Sequence, residues 1–131
     1  MEIQTFISLV IIGLLAGTLS GFIGIGGGVI MVPALIYALG ISQHEAQGLS
    51  LTTMLLPIGI LAFYNYYQSG QVTNQFITYA AIIAFTFVIG GYFGSRLSLK
   101  LNPQLVKFLF GILMLYIGFK MVYSGWGYFK K

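Results

Sequence analysis

Apolar residues fall into long blocks along this chain, and polar residues crowd into the short gaps between them. A bilayer core takes about 20 mainly apolar residues per helix, and residues 3–22 meet that length. A glycine-rich stretch follows, then an apolar block over 29–39 that is too short for a comfortable crossing. The segment "GISQHEAQG" (40–48) is a polar break, with Ser42 placed to cap the next helix. Blocks at 46–67, 75–95 and 104–123 predict three full spans. They are separated by "QSGQVTN" (68–74) and by "RLSLKLNP" (96–103), whose proline suits a helix start. Trp126, Tyr128 and Phe129 beside Lys130 and Lys131 read as an interfacial anchor. The predicted fold class is all-α: a polytopic integral membrane protein with a broken N-terminal helical hairpin plus three transmembrane helices. No second copy of the glycine stretch is visible, so residues 1–131 read as a single transmembrane domain.

Composition fixes the solvent. The 131 residues are 58% hydrophobic and 6% charged, against about 25% charged in an ordinary soluble domain. A body this small cannot hide so much apolar side chain from water, so most of its surface meets lipid. The expected location is the cell (plasma) membrane, with multiple passes. Six basic residues set a net charge of +4, but they are scattered. They read as membrane flanks, not as a nucleic-acid footprint. The N-terminus lacks the positive segment of a signal peptide, so the first apolar block is expected to be structural. With no cysteine and one histidine, no metal cluster, disulfide framework or thiol nucleophile is expected. His44 and Glu45 read as a solvated loop. No cofactor is implied.

The candidate chemistry sits where the helices break. In "GFIGIGGGVIMVP" (21–33), Gly24, Gly26, Gly27 and Gly28 let the backbone leave the helix. Non-helical backbone costs several kcal/mol per unsatisfied group in hydrocarbon, so this stretch has to be covered by protein or hydrated. Two readings fit it equally. One is a tight hairpin bend. The other adds an anion site, because N–H groups at the start of the short following helix carry the positive end of its dipole. Broken helices aimed at substrate are a recurring transporter device. Gly13, Gly17 and Gly21, and again Gly90 and Gly94, recur every four residues and predict close helix packing. Pro57 interrupts the third block and frees the carbonyl of Thr53. Ser50, Thr52 and Thr53 then either line a polar path or bond back to their own helix. Arg96, at the end of the fourth block, is a snorkelling flank or an electrostatic funnel for anions. Both acids, Glu2 and Glu45, lie at predicted interfaces. With no buried carboxylate, an anionic substrate is favoured over a cation. No base lies at the depth of the serines and threonines, so catalysis is not expected.

"GTLSGFIGIGGGVIMVPALIYALGIS", then "HEAQGLSL", "GQV", "GGYFGSRLS" and "VKFLFGILMLYIG" resemble, in order, the repeat of the sulfite exporter TauE/SafE family of membrane transporters. The resemblance runs over nearly the whole chain, and its most specific part is the glycine segment with Pro33. Family members generally hold two such units and are associated with sulfite, sulfonates and related organosulfur anions. The resemblance implies that Gly24, Gly26, Gly27, Gly28 and Pro33 form the break, with Ser50 close to the substrate path. A single unit implies a homodimer that rebuilds the two-unit protein.

The expected function is therefore a permease for a small anion, sulfite or a related organosulfur anion, working as a homodimer by alternating access around the glycine break. The substrate-binding candidates are Gly24, Gly26, Gly27, Gly28, Pro33, Ser50, Thr53 and Pro57, with Arg96 as the funnel. The rival readings are a non-transporting membrane subunit or assembly factor and a channel-like pore. Arg96, Lys100 and Lys107 fall on one predicted face and Lys120, Lys130 and Lys131 on the other. That balance gives the positive-inside rule little to act on. An antiparallel homodimer with its axis in the membrane plane is the expectation, with a parallel pair as the alternative.

Overall fold

The computed structural model describes residues 2–23 and 26–131, which are helical throughout apart from short connections. In chain order the helices are α1 (Ile3–Ile23), α2 (Gly28–Leu39), α3 (Gln43–Met54), α4 (Ile60–Gln68), α5 (Asn74–Lys100) and α6 (Pro103–Trp126), closed by a 3₁₀ turn at Gly127–Lys130. The all-α architecture of the sequence reading is the one observed. Three of these helices are long and apolar enough to cross a membrane: α1, α5, and α6 with its terminal turn. At 1.5 Å per residue, the 27 residues of α5 extend about 40 Å, enough to cross a hydrocarbon core of about 30 Å. The 12 residues of α2 reach only about 18 Å.

The block at 46–67 differs from its expectation. It is not one span but two helices, because Pro57 cannot donate to a carbonyl four residues back. α3 ends at Met54, and α4 starts at Ile60 after a short irregular connection. α3 begins at Gln43, directly after its Ser42 cap as the sequence predicts, so most of the polar segment at 40–48 is helix. The basic segment after residue 95 is not a loop either: α5 continues to Lys100, and only Leu101 and Asn102 separate it from α6. Asn102 caps α6 by accepting from the Gln104 N–H at 2.8 Å, with Pro103 in the first turn as the sequence predicts.

The packed centre is small and lies at the N-terminal half. Ile12 and Ala16 of α1, Met31, Val32 and Leu35 of α2, and Ala46 of α3 form it. Ala16 and Ala46 are almost wholly covered, and their small side chains let the backbones approach. Ile12 and Ala16, not the glycine stripe, make the contact face of α1. A side-chain carbon added at Gly13, Gly17, Gly90 or Gly94 would meet open space among the described residues. The close packing expected of these four glycines is thus absent among the described residues. α4, α5 and α6 bury no residue completely. Their large apolar side chains face outward, which is stable where lipid or another membrane protein is the neighbour.

The connections are chemically specified. Gly26 has φ +70°, in the left-handed region where side chains are strained, whereas Gly27 is α-helical at φ −63° and caps α2 without a side-chain bond. Gly24 lies outside the described residues. Gly40 closes α2 in the left-handed conformation, its N–H donating to the Ile36 carbonyl at 2.9 Å. Ser42 opens α3 with a complete capping box. Its hydroxyl accepts from the Glu45 N–H at 3.2 Å, and the Glu45 carboxylate accepts from the Ser42 N–H at 2.7 Å. That backbone N–H first, and the Ser42 hydroxyl second, hold the Glu45 carboxyl below its ordinary value.

Two predictions follow from these connections. Gly26→Ala is expected to destabilise the protein by about 1–2 kcal/mol, the cost of a Cβ in left-handed backbone. Gly27→Ala needs only a small retreat of the Met31 terminal methyl, 3.2 Å from the added carbon, and is expected to cost less. Denaturant titration of the two variants in the same detergent makes the comparison. At the α3 cap, Ser42→Ala is expected to cost about 1 kcal/mol. Because the Glu45 carboxyl titrates lower in the folded state, its contribution is present above the ordinary carboxylate range. It is lost as pH falls through the lowered folded value. Glu45→Gln is expected to remove that acid-side slope, measured as the difference in melting temperature from wild type across acidic pH.

Candidate functional site

The first turn of α2 rests against the middle of α3. Ser50 is 3% exposed, and a carbon added at Gly28 would stand 3.4 Å from its Oγ and 3.2 Å from the Met54 Cε. Glycine at 28 therefore lets the start of α2 come close to the buried Ser50 hydroxyl. Beside this contact opens a cavity of about 530 Å³. α2 contributes Gly28, Val29 and Val32 to its wall. α3 contributes His44, Gln47, Gly48, Ser50, Leu51 and Met54. α5 contributes Gly91, Gly94, Ser95, Ser98 and Leu99, and α6 adds Phe110. The glycines of α5 thus open space at the cavity.

The polar wall is a connected set. His44 Nε2 lies 3.1 Å from the Leu101 carbonyl oxygen, across the chain on the α5–α6 connection. A carbonyl only accepts, so Nε2 carries a hydrogen and donates. His44 Nδ1 lies 3.3 Å from Gln47 Oε1. Ser98 Oγ donates to the same Gln47 oxygen at 3.4 Å. These bonds join α3 to α5 and to the start of α6. They correct the reading of His44 as a solvated loop residue: it belongs to a helix, is partly buried and is held from two sides. The signal for it lay in spacing. His44, Gln47, Ser50 and Met54 recur at intervals of three and four, which is one face of a helix.

Of the residues singled out in the sequence, Gly28 and Ser50 meet at this cavity. Gly26 and Gly27 lie just before it on the chain and do not line it. Pro33 lines a second, smaller cavity of about 260 Å³, together with Tyr37, Gln43, Lys107 and Phe110. Gln43 is buried there, and neither amide atom has a hydrogen-bond partner among the described residues. Thr53 and Pro57 line neither cavity. The Thr53 carbonyl, expected to be free, accepts from the Leu56 N–H at 3.3 Å. The hydroxyls of Thr52 and Thr53 bond back to Gly48 and Leu49 at 2.8 and 3.0 Å. The chain end after Thr53 tightens and takes up its own polar groups. Arg96 is held over the Tyr92 ring, 5.7 Å from its centroid, and lines neither cavity. Its neighbours Ser95 and Ser98 line the larger one. Among the described residues no cluster of three metal-ligating side chains occurs.

A family model described as sulfite exporter TauE/SafE matches residues 1–121. A "probable membrane transporter protein" of Haemophilus influenzae is 33% identical over 129 residues, which is 92% of this chain and 47% of that protein. A protein of the same description from Xylella fastidiosa is 30% identical over 88% of this chain and 43% of its own length. "Probable membrane transporter protein YunE" of Bacillus subtilis is 29% identical over 91% of this chain and 45% of its own. The chain thus spans a little under half the length of the curated relatives it matches. No solved structure matches it. The matched span takes in the glycine break, the polar face of α3 and the glycines of α5, and on that ground this multi-pass membrane chain belongs to the sulfite exporter TauE/SafE family.

Proposed function

We propose that the chain forms one half of a permease for a small anion, with sulfite or a related sulfonate as the substrate class. The observation that supports it most is the meeting of Gly28, at the start of α2, with Ser50 and the His44–Gln47–Ser98 set on one cavity wall. The wall offers hydroxyl, amide and imidazole groups beside the positive end of a helix. No carboxylate lines it, and Glu45 is committed to the Ser42 N–H. This balance favours an anion. The open shape of α2, α3 and α4, none long enough to cross alone, resembles the discontinuous helices of alternating-access carriers.

The second half is a second copy of this chain. The uncovered faces of α5 and α6 supply area for it, and pairing in inverted orientation matches the near-equal distribution of basic residues. Two copies then carry one cavity each on either side of a two-fold axis in the membrane plane, and rocking about that axis exposes the site to each side in turn.

Purified protein in liposomes tests the reading. Saturable sulfite flux is expected. Flux that rises linearly without saturation favours a pore, and no flux of any anion favours an assembly role. Gly28→Val forces methyl groups toward Ser50 Oγ and Met54 Cε and is expected to cut flux at least about tenfold, the effect of a misplacement of about an ångström at a site. Circular dichroism and gel filtration check that the variant stays folded. For orientation, single cysteines at Ser69, in the connection before α5, and at Lys100, its last residue, are labelled from outside intact cells. Partial labelling of both is expected. Complete labelling of one and none of the other overturns the inverted pair.

A further inference from the structure

Among the described residues, His44 is the one ionisable side chain that lines the larger cavity. Both of its ring nitrogens face oxygen: Nε2 the Leu101 carbonyl at 3.1 Å and Nδ1 the Gln47 Oε1 at 3.3 Å. A neutral imidazole has one donor and one acceptor nitrogen, whereas the imidazolium has two donors. Two facing oxygens therefore suit the charged form. The Gln47 oxygen also accepts from Ser98 at 3.4 Å. With its oxygen shared between His44 and Ser98, the amide of Gln47 keeps its two N–H donors for a solute in the cavity it lines.

We infer that His44, Gln47 and Ser98 form a site that binds a proton and a small oxyanion together. With the proton on His44, the Gln47 oxygen is taken up inside the wall and its NH₂ group serves the anion. The imidazolium supplies the positive charge that the wall otherwise lacks. When His44 is neutral with its hydrogen on Nε2, Nδ1 becomes an acceptor. The Gln47 amide then turns over to donate its NH₂ group to Nδ1 and to Ser98. Its oxygen now faces the cavity and disfavours an anion. Other charged groups on the packed elements are engaged elsewhere or lie off the wall. Glu45 on α3 holds the Ser42 N–H. Arg96 on α5 stacks on Tyr92, and Lys107 on α6 lies 5.3 Å from the Tyr37 ring centroid. Lys100 is outside the lining. The inference rests on the permease reading for its substrate class and adds that the carrier moves the anion with a proton.

The chain has a single histidine, so selective ¹⁵N-imidazole labelling reports His44 alone. The protein is titrated in micelles with and without methanesulfonate, a monoanion throughout this pH range, so that only the protein titrates. By linkage, the anion that binds the protonated site better must raise the titration midpoint. Methanesulfonate affinity is expected to fall about tenfold per pH unit above that midpoint, the slope of one coupled proton. Gln47→Met is expected to lower the midpoint without anion and to abolish its response to anion. His44→Gln, which lacks the imidazolium charge, is expected to bind the anion weakly at every pH, with no pH dependence. A midpoint indifferent to the anion overturns the inference, as does an unchanged midpoint in Gln47→Met. Liposome flux with an indifferent midpoint leaves the permease reading standing without the proton. No flux with a responsive midpoint keeps the site and overturns transport.

Discussion

A peptide group in hydrocarbon has no water to bond, and each one left unsatisfied costs several kcal/mol. That constraint decides where this chain can stop being a helix. Within the N-terminal half it stops after α1, between α2 and α3, and between α3 and α4. Gly40 returns its N–H to α2, and the Ser42–Glu45 box closes the head of α3. After Thr53 the N–H groups of Leu55 and Leu56 fall back on carbonyls three residues earlier. The breaks after α2 and α3 are tolerated because each takes up its own polar groups.

The cavity follows from the same economy of space. Short helices cannot fill the length that α5 covers, so α2 and α3 leave volume beside it. Glycines keep that volume open: Gly28 at the head of α2, Gly48 on α3, and Gly91 and Gly94 on α5. Side chains there would add contact and close the space. The packed cluster of Ile12, Ala16, Leu35 and Ala46 sits beside it and fixes α2 against α3. The rigid part of the molecule thus presents the polar face of α3 to an opening that α5 borders.

Much of this was legible in the sequence because the strongest signals are local. Block length gives the spans, Ser42 and Pro103 give two helix starts, and the glycine run gives the first break. The block at 46–67 misled because hydropathy sums over a window and does not weigh one proline against it. Pro57 marks the end of a helix there, where the hydrophobic pattern alone asks for a span. The glycine spacing on α1 misled for a different reason. Small-residue periodicity says that a face permits close approach, but not that a partner stands there. His44 was discounted because metal chemistry needs several ligands. Its bond to Gln47 is within reach of helical spacing, but its bond to Leu101 is a tertiary contact 57 residues away along the chain, which no local pattern contains.

Electrostatics ties the site to the rest of the design. A permanent positive charge at membrane depth is expensive, and a lysine or arginine in the cavity wall would bear that cost even when empty. The basic side chains of this protein sit elsewhere: Arg96 on an aromatic ring, Lys107 beside another. A wall of hydroxyls, an amide and one imidazole avoids the standing cost. An imidazole is the side chain whose charge can be taken up near neutral pH and given back. The two oxygens facing its ring are both placed to accept from the charged form, and hydrogen bonds to an ionised group are roughly twice as strong as neutral ones. If the chain is the anion carrier proposed above, a charge present only while the anion is bound lets it both hold the anion and release it.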